Sequence, residues 1–126
     1  MSSVFQRLVP HTVSSLPQVC PVGDLIELVG VVERESRGFL FLDFVLNDAS
    51  GRIPIRYITP PAAWWDVPEF EGLYVVVQGR LSASDRRHII TESVRLVTDP
   101  NQISYHTIAV AHSILRARSN ERPALP

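Results

Sequence analysis

The chain has 126 residues, of which 45% are hydrophobic and 20% charged, a composition typical of one globular domain. Its formal net charge of −1 argues against a strong free-standing nucleic-acid binder, because such proteins usually carry a basic excess. No apolar run approaches the ~18 residues that a membrane span needs, and the N-terminal residues lack the basic-then-apolar plan of a signal peptide. The single cysteine, Cys20, excludes a disulfide framework within the chain. Together these features predict an intracellular protein with no membrane partner.

The chain divides by its turn residues into an arm, a run of strands and a terminal helix. Residues 1–23 contain three prolines, which are incompatible with a helix, and predict an extended arm with room for one short strand. Alternating apolar residues then predict five strands, at 24–36, 39–47, 52–59, 73–83 and 88–98. The connector at 60–72 carries the pair Trp64–Trp65, which either plugs the barrel or binds a base or a partner. A helix over 99–118 and a flexible tail over 119–126 complete the prediction.

Two glycines inside strands indicate how the strands fold together. Gly30 lies at the centre of the first predicted strand and Gly79 within the fourth, and a glycine inside a strand often marks a bulge or a sharp bend. Bent strands with a longer connector between the third and the fourth are typical of a small closed barrel. The predicted fold is therefore all-β, a five-stranded OB-fold barrel over residues 24–98 with a C-terminal α-helix.

The predicted helix carries more apolar surface than one contact with a barrel requires. At 100° per residue, Ile103, Val110 and Ile114 form one ridge, and a second ridge is centred on Ile108. The two ridges cover an arc of roughly 180°, against the ~100° of a one-sided surface helix. The excess predicts a partner protein on this helix. The residues predicted to bind that partner are Ile103, Tyr105, Ile108, Ala111, Ile114 and Leu115.

Several segments, taken together, resemble one protein family. They are 9–14 (VPHTVS), 28–34 (LVGVVER), 46–52 (LNDASGR), 76–81 (VVQGRL) and 101–106 (NQISYH). In this order and at this spacing, they resemble the arm, first strand, hairpin, fourth strand and helix start of one OB domain. It is the central OB domain in the middle-sized subunit of replication protein A, the eukaryotic heterotrimer that binds single-stranded DNA. The middle subunit of the telomeric CST complex is a close relative with the same barrel and helix.

The resemblance implies a non-catalytic subunit of a nuclear heterotrimer that acts in DNA replication and repair. It implies that the C-terminal helix joins a three-helix bundle with the equivalent helices of a large and a small OB-fold subunit. It also implies weak contact between single-stranded DNA and the barrel.

Arginine and aromatic residues are placed where OB barrels bind single strands. That surface spans the second and third strands, between the loops that follow the first and the fourth. Cationic side chains neutralise phosphates there, and aromatic rings stack on bases. The residues predicted to contact DNA are Arg34, Arg37, Phe39, Phe41, Arg56, Tyr57, Arg80, Arg86 and Arg87.

Other interpretations of these residues remain open from the sequence. Phe39 and Phe41 could instead pack against the arm or a partner, and the loop arginines could simply be solvated. An approximate alignment with the family places Ile58 or Thr59, and Ser84, where its two stacking aromatics stand. This departure favours assembly over strong DNA binding as the function of the chain.

Neither catalysis nor a metal site is predicted. Serine, histidine and aspartate are present, but no nucleophile elbow or other catalytic motif frames them. His106 and His112 lie six residues apart on the helix, whereas a metal pair on one helix face lies about four apart. No cofactor is predicted either. Three hypotheses follow: an assembling subunit, an autonomous single-stranded DNA binder, and an OB module that recognises only protein.

Overall fold

The computed structural model describes residues 7–16, 24–59, 68–82 and 87–121, with helix side chains described as far as Arg116. Within these ranges it contains six strands, one helix and a single 3₁₀ turn. They are β1 (Arg7–Pro10), the turn (Val13–Ser15), β2 (Asp24–Arg37), β3 (Phe41–Asn47), β4 (Arg52–Ile58), β5 (Tyr74–Ser82), β6 (His88–Leu96) and α1 (Asn101–Glu121). Strands β2 to β6 correspond to the five strands predicted from the sequence, and β1 is the short strand expected in the arm.

Five of the described strands close into a barrel because β2 is long enough to pair twice. Its first part pairs antiparallel with β5, and its second part pairs antiparallel with β3. β3 pairs with β4, β4 runs parallel to β6, and β6 returns to β5. This closed order confirms the predicted OB-fold barrel, and β1 adds to it by pairing parallel with β2.

Alternating apolar residues of the strands fill the barrel interior, as the pleat of a strand requires. Leu42, Phe44 and Leu46 of β3 are buried there beside Ile53 and Ile55 of β4. Each of these two strands therefore presents one face to the interior of the barrel. Their neighbours in sequence point outward and form the outer face of the barrel.

The start of β3 differs from the prediction, which began this strand at residue 39. The Gly38 N–H donates to the carbonyl oxygen of Phe41 (2.9 Å) and closes a turn, in which Leu40 has a φ of 66°. Because that angle lies in the left-handed region, the extended strand cannot continue through Leu40. Phe39 therefore lies in the β2–β3 turn, with 70% of its surface exposed, and is not part of the strand.

Close approach of neighbouring strands explains both glycines that the sequence singled out. A Cβ atom on Gly79 would lie 2.5 Å from the carbonyl oxygen of Ile90, and one on Gly30 would lie 2.7 Å from that of Asn47. The pairing of β5 with β6 also shifts register next to Gly79, as expected for a bulge. At both positions the neighbouring strand leaves space for the glycine hydrogen atom but not for a side chain.

The helix α1 follows β6 through a short turn and packs against β1 on the outside of the barrel. Asp99 caps its start, because its Oδ1 accepts a hydrogen bond from the Asn101 N–H (2.9 Å). The helix runs to Glu121, past the predicted end at residue 118, so the beginning of the predicted tail is helical. Within the described residues, no helix has both the length and the apolar character needed to cross a membrane.

Candidate functional site

The helix α1 has one side on the barrel and the other in solvent. On the barrel side, Val110 and His106 are buried, and Ile103 and Ile114 are half-buried. Val29 of β2 is buried on the barrel surface that the helix covers. Ile103 and Ile114, two residues of the predicted partner-binding set, thus lie on the barrel side of the helix and are half-buried in this chain.

The opposite side of α1 carries the second predicted ridge. Tyr105, Ile108 and Leu115 expose 65%, 60% and 63% of their surface, and Ala111 is also exposed. We call these four residues the outer ridge. Single exposed apolar residues are common in soluble proteins, whereas three large ones in line on a single helix indicate a binding surface.

Buried polar contacts fix α1 to the barrel. The His106 Nε2–H donates to the carbonyl oxygen of His11 (2.8 Å), just after β1. The His106 Nδ1 lies 3.4 Å from Oε1 of Glu27 on β2, and Oε2 of Glu27 accepts from Gln78 Nε2 on β5 (3.0 Å). Both ring nitrogens of His106 thus face acceptor oxygens, one on the arm and one on β2. We call His11, Glu27, Gln78 and His106 the helix anchor.

The helix anchor makes the stability of the fold depend on pH. The hydrogen bond from His106, assisted by that from Gln78, lowers the pKa of Glu27 below its ordinary value of 4.5, against the opposing effect of burial. The folded chain therefore binds this proton less readily than the unfolded chain does. The ionised carboxylate stabilises the fold above that value, and the contribution is lost as the pH falls through the lowered pKa.

We expect Glu27→Gln to lower the free energy of unfolding at about pH 6 and to have a smaller effect at about pH 3, because the wild-type carboxylate takes up its proton as the pH falls toward the lowered pKa. Urea unfolding of both proteins at the two pH values measures the difference. Glu92→Gln, which removes an exposed carboxylate on β6, controls for the loss of one charge. An equal loss of stability at both pH values would show that Glu27 acts through its shape alone.

The second candidate surface is the outer face of β3 and β4. Arg56 donates its Nε–H and an Nη2–H to the two carboxylate oxygens of Asp43, both at 2.9 Å. The guanidinium also lies over the ring of Phe41, with Cζ 4.3 Å from the ring centroid. We call Phe41, Asp43 and Arg56 the Arg56 cluster. The hydrogen bonds that Arg56 donates to Asp43 raise the pKa of Arg56, so the guanidinium keeps its charge.

A second ion pair lies on the same outer face. Arg52, at the start of β4, donates its Nε–H to Oε1 of Glu33 on β2 (2.9 Å). Both outward-facing arginines of β4 are thus matched by a carboxylate. Although this face is rich in arginine, its positive charge is largely neutralised from within the chain.

Other residues predicted to contact DNA surround this face. Arg34 is exposed at the irregularity of β2, where its φ is 53°. Arg37 is exposed and donates to the carbonyl oxygen of Pro68 (3.3 Å). Arg80 is exposed and lines an open groove of about 570 Å³ together with Ile58. Arg34 and Arg37 thus lie at the β2–β3 end of the face, and Arg80 and Arg56 pair with the same residue of β6, Ile90, from its two sides.

Two predicted DNA contacts point away from the outer face. The ring of Tyr57 packs against the hydrophobic core. The Arg87 Nη2 donates to the carbonyl oxygen of Leu16 (2.7 Å) and ties the start of β6 to the arm. Arg86, Ser84 and the pair Trp64–Trp65 lie outside the described residues.

The sequence did not single out Asp43, Glu27 or His106 as functional residues. Strand alternation places Asp43 on the same side of the strand as Phe41. This is the one feature of the sequence that points to Asp43. Helical spacing places His106 only about 40° from Val110, on the side of the first ridge, and gives no information on what His106 contacts. The partners of Glu27 and His106 lie far away along the chain, so local patterns do not reveal them, whereas Asp43 meets Arg56 across the adjacent β3–β4 hairpin.

No protein-family model and no curated protein matches the sequence. Among solved structures, a chain from a replication protein A heterotrimer bound to single-stranded DNA superposes with a TM-score of 0.69 and 26% identity. That match covers 86% of this chain and 96% of the other. It confirms the resemblance to replication protein A that the sequence predicted.

Two further structures share the fold at lower identity. The S. pombe Stn1–Ten1 complex matches with a TM-score of 0.60 and 16% identity over 78% of each chain. The structure of yeast Stn1 and Ten1 matches with a TM-score of 0.60 and 12% identity, over 81% of this chain and 56% of that one. At this level of identity, the two matches show a shared fold and no more.

Proposed function

We propose that this chain is a non-catalytic OB-fold subunit of a heterotrimeric, replication protein A-like complex that binds single-stranded DNA. The observation that carries the proposal is the outer ridge of α1. The helix is already docked on the barrel through Val110 and the helix anchor, yet its solvent side presents a line of large apolar residues. A subunit that assembles through this helix needs that surface, and a free-standing monomer does not.

The comparison with known structures supports assembly. The matched replication protein A chain belongs to a heterotrimer, and the match covers nearly the whole length of that chain. We propose that the outer ridge enters a three-helix bundle with the equivalent helices of a large and a small OB-fold subunit. The complex would act in the nucleus, in DNA replication and repair.

The DNA contact of this subunit is proposed to be weak. Phe39 and Arg34 are exposed beside the β2–β3 turn, where they can stack on a base and meet a phosphate. The arginines of β4 are engaged with carboxylates, and Tyr57 packs against the core. The barrel thus adds to the affinity of a complex whose other subunits supply most of the binding.

A second candidate is the middle subunit of a telomeric CST-like complex. The shared fold with the Stn1–Ten1 structures favours it, and it uses the same helix and barrel. The neutralised outer face of β4 also favours a module that recognises only protein. The identity of the large partner distinguishes a CST-like subunit from a replication protein A-like subunit. DNA binding by the assembled complex distinguishes either of these from a module that recognises only protein.

Coexpression with candidate partners tests the assembly. The full chain is expressed alone and together with large and small OB-fold subunits from the same genome, and light scattering gives the mass. We expect a stable complex with the mass of one copy of each subunit. A monomer that ignores both partners would contradict the proposal.

Titration with a labelled oligothymidylate tests the DNA contact. The full chain alone should bind weakly at low salt, and the affinity should fall steeply as salt is added, because phosphate contacts release counterions. An absence of binding at low salt, both alone and in the assembled complex, would leave the protein-only module as the function.

A further inference from the structure

The Arg56 cluster already satisfies within the chain the two interactions that a single strand would offer. A nucleic acid offers a phosphate to a guanidinium and a base to an aromatic ring. Here the guanidinium of Arg56 is held by both oxygens of Asp43, and the same guanidinium covers a face of the Phe41 ring. One carboxylate therefore determines the availability of two binding groups.

The geometry of the pair makes the competition direct. A phosphate and a carboxylate both present two oxygens to the parallel N–H groups of a guanidinium. Asp43 takes the fork formed by Nε and Nη2 of Arg56, so a phosphate can use that fork only after the carboxylate leaves. The side chains of Arg56 and Asp43 are 46% and 37% exposed, respectively, so a single strand of nucleic acid in solution can reach them.

We infer that Asp43 limits the affinity of the barrel for single-stranded nucleic acid by competing with a phosphate for Arg56 and holding that guanidinium over Phe41. The inference rests on the proposed DNA contact of the barrel and names the residue that keeps it weak. Removing the carboxylate frees the guanidinium for a phosphate, and the guanidinium can then move off the ring.

The test compares Asp43→Asn with a charge-matched control. Glu92→Gln removes the same charge from an exposed site on β6, outside the Arg56 cluster. Fluorescence anisotropy with labelled oligothymidylate measures the affinity of the full-length chain at low salt. We expect D43N to bind about two- to fivefold more tightly than E92Q, the range set by the strength of an exposed ion pair. The salt dependence should also steepen by about one released counterion.

A double variant identifies Arg56 as the group that is freed. In the Arg56→Gln background, adding D43N should change the affinity no more than E92Q does. A gain for D43N equal to that for E92Q, or a gain that survives the loss of Arg56, would overturn the inference while leaving the proposed DNA contact in place. If wild type and every variant fail to bind, the proposed DNA contact fails and the inference fails with it.

Discussion

Replacing Ile108 and Leu115 together by aspartate should abolish assembly with the OB-fold partners while the barrel stays folded. Both side chains are at least 60% exposed in the isolated chain, so little folding energy depends on them. In a helix bundle they become buried, where each anchor of this kind typically contributes about 2 kcal/mol and a buried unpaired charge adds a penalty. We expect Kd for the partners to rise by at least about a hundredfold. Light scattering of the coexpressed subunits measures the loss.

The matched control for that variant is Ile90→Asp. Ile90 is 40% exposed on β6 and lines the groove beside Arg80, away from α1. The Ile90→Asp substitution introduces the same kind of charge on the barrel, and it should leave the mass of the complex unchanged. Circular dichroism and urea unfolding confirm that the double variant is folded. Assembly that persists with I108D and L115D both in place would exclude the outer ridge as the interface.

Replacing His106 by leucine should release the helix from the barrel. Leucine keeps an apolar side chain at this position but leaves the His11 carbonyl without its donor and removes the contact with Glu27. A buried acceptor without a partner costs about 1–3 kcal/mol, and more when the bond is charge-assisted. We expect the free energy of unfolding to fall by about 2–3 kcal/mol. Faster amide exchange along α1 should accompany the loss, because undocking exposes the helix backbone before the barrel unfolds.

His112 provides the control for that prediction. It lies on the same helix with an exposed side chain, so His112→Leu should change the free energy of unfolding by less than about 0.5 kcal/mol. Urea unfolding compares the two variants under the same conditions. If H106L is as stable as H112L, and if the amide hydrogens of its α1 exchange no faster, then the polar contacts of His106 do not hold α1 on the barrel.

The strand pattern is where the sequence was most informative. The turns and the alternation of apolar residues located β2 to β6, and Gly30 and Gly79 indicated bends that the close strand approach explains. These are local properties, since side chains alternate between the two faces of a strand whichever strands lie beside it. Tyr57, which was predicted to contact DNA, alternates with Ile53 and Ile55 along β4, and its ring packs against the core.

The contacts of the two candidate surfaces were not predictable in this way. Asp43 meets Arg56 because the β3–β4 hairpin sets them opposite each other, and the partners of His106 lie on β1 and β2. Each contact depends on pairing or docking between segments that are separated along the chain. The unusual conformation of Leu40, which moves Phe39 off the strand and into a turn, is a further example.

The sequence by itself determined that the barrel forms and that its C-terminal helix has two apolar ridges. It could not determine which ridge covers the barrel, because both ridges satisfy the same helical periodicity. The tertiary structure decided this through His106, which lies beside Val110 and contacts the His11 carbonyl just after β1 and Glu27 on β2. That choice leaves Tyr105, Ile108 and Leu115 in solvent as the surface for a partner, since a helix can bury one side against a single barrel.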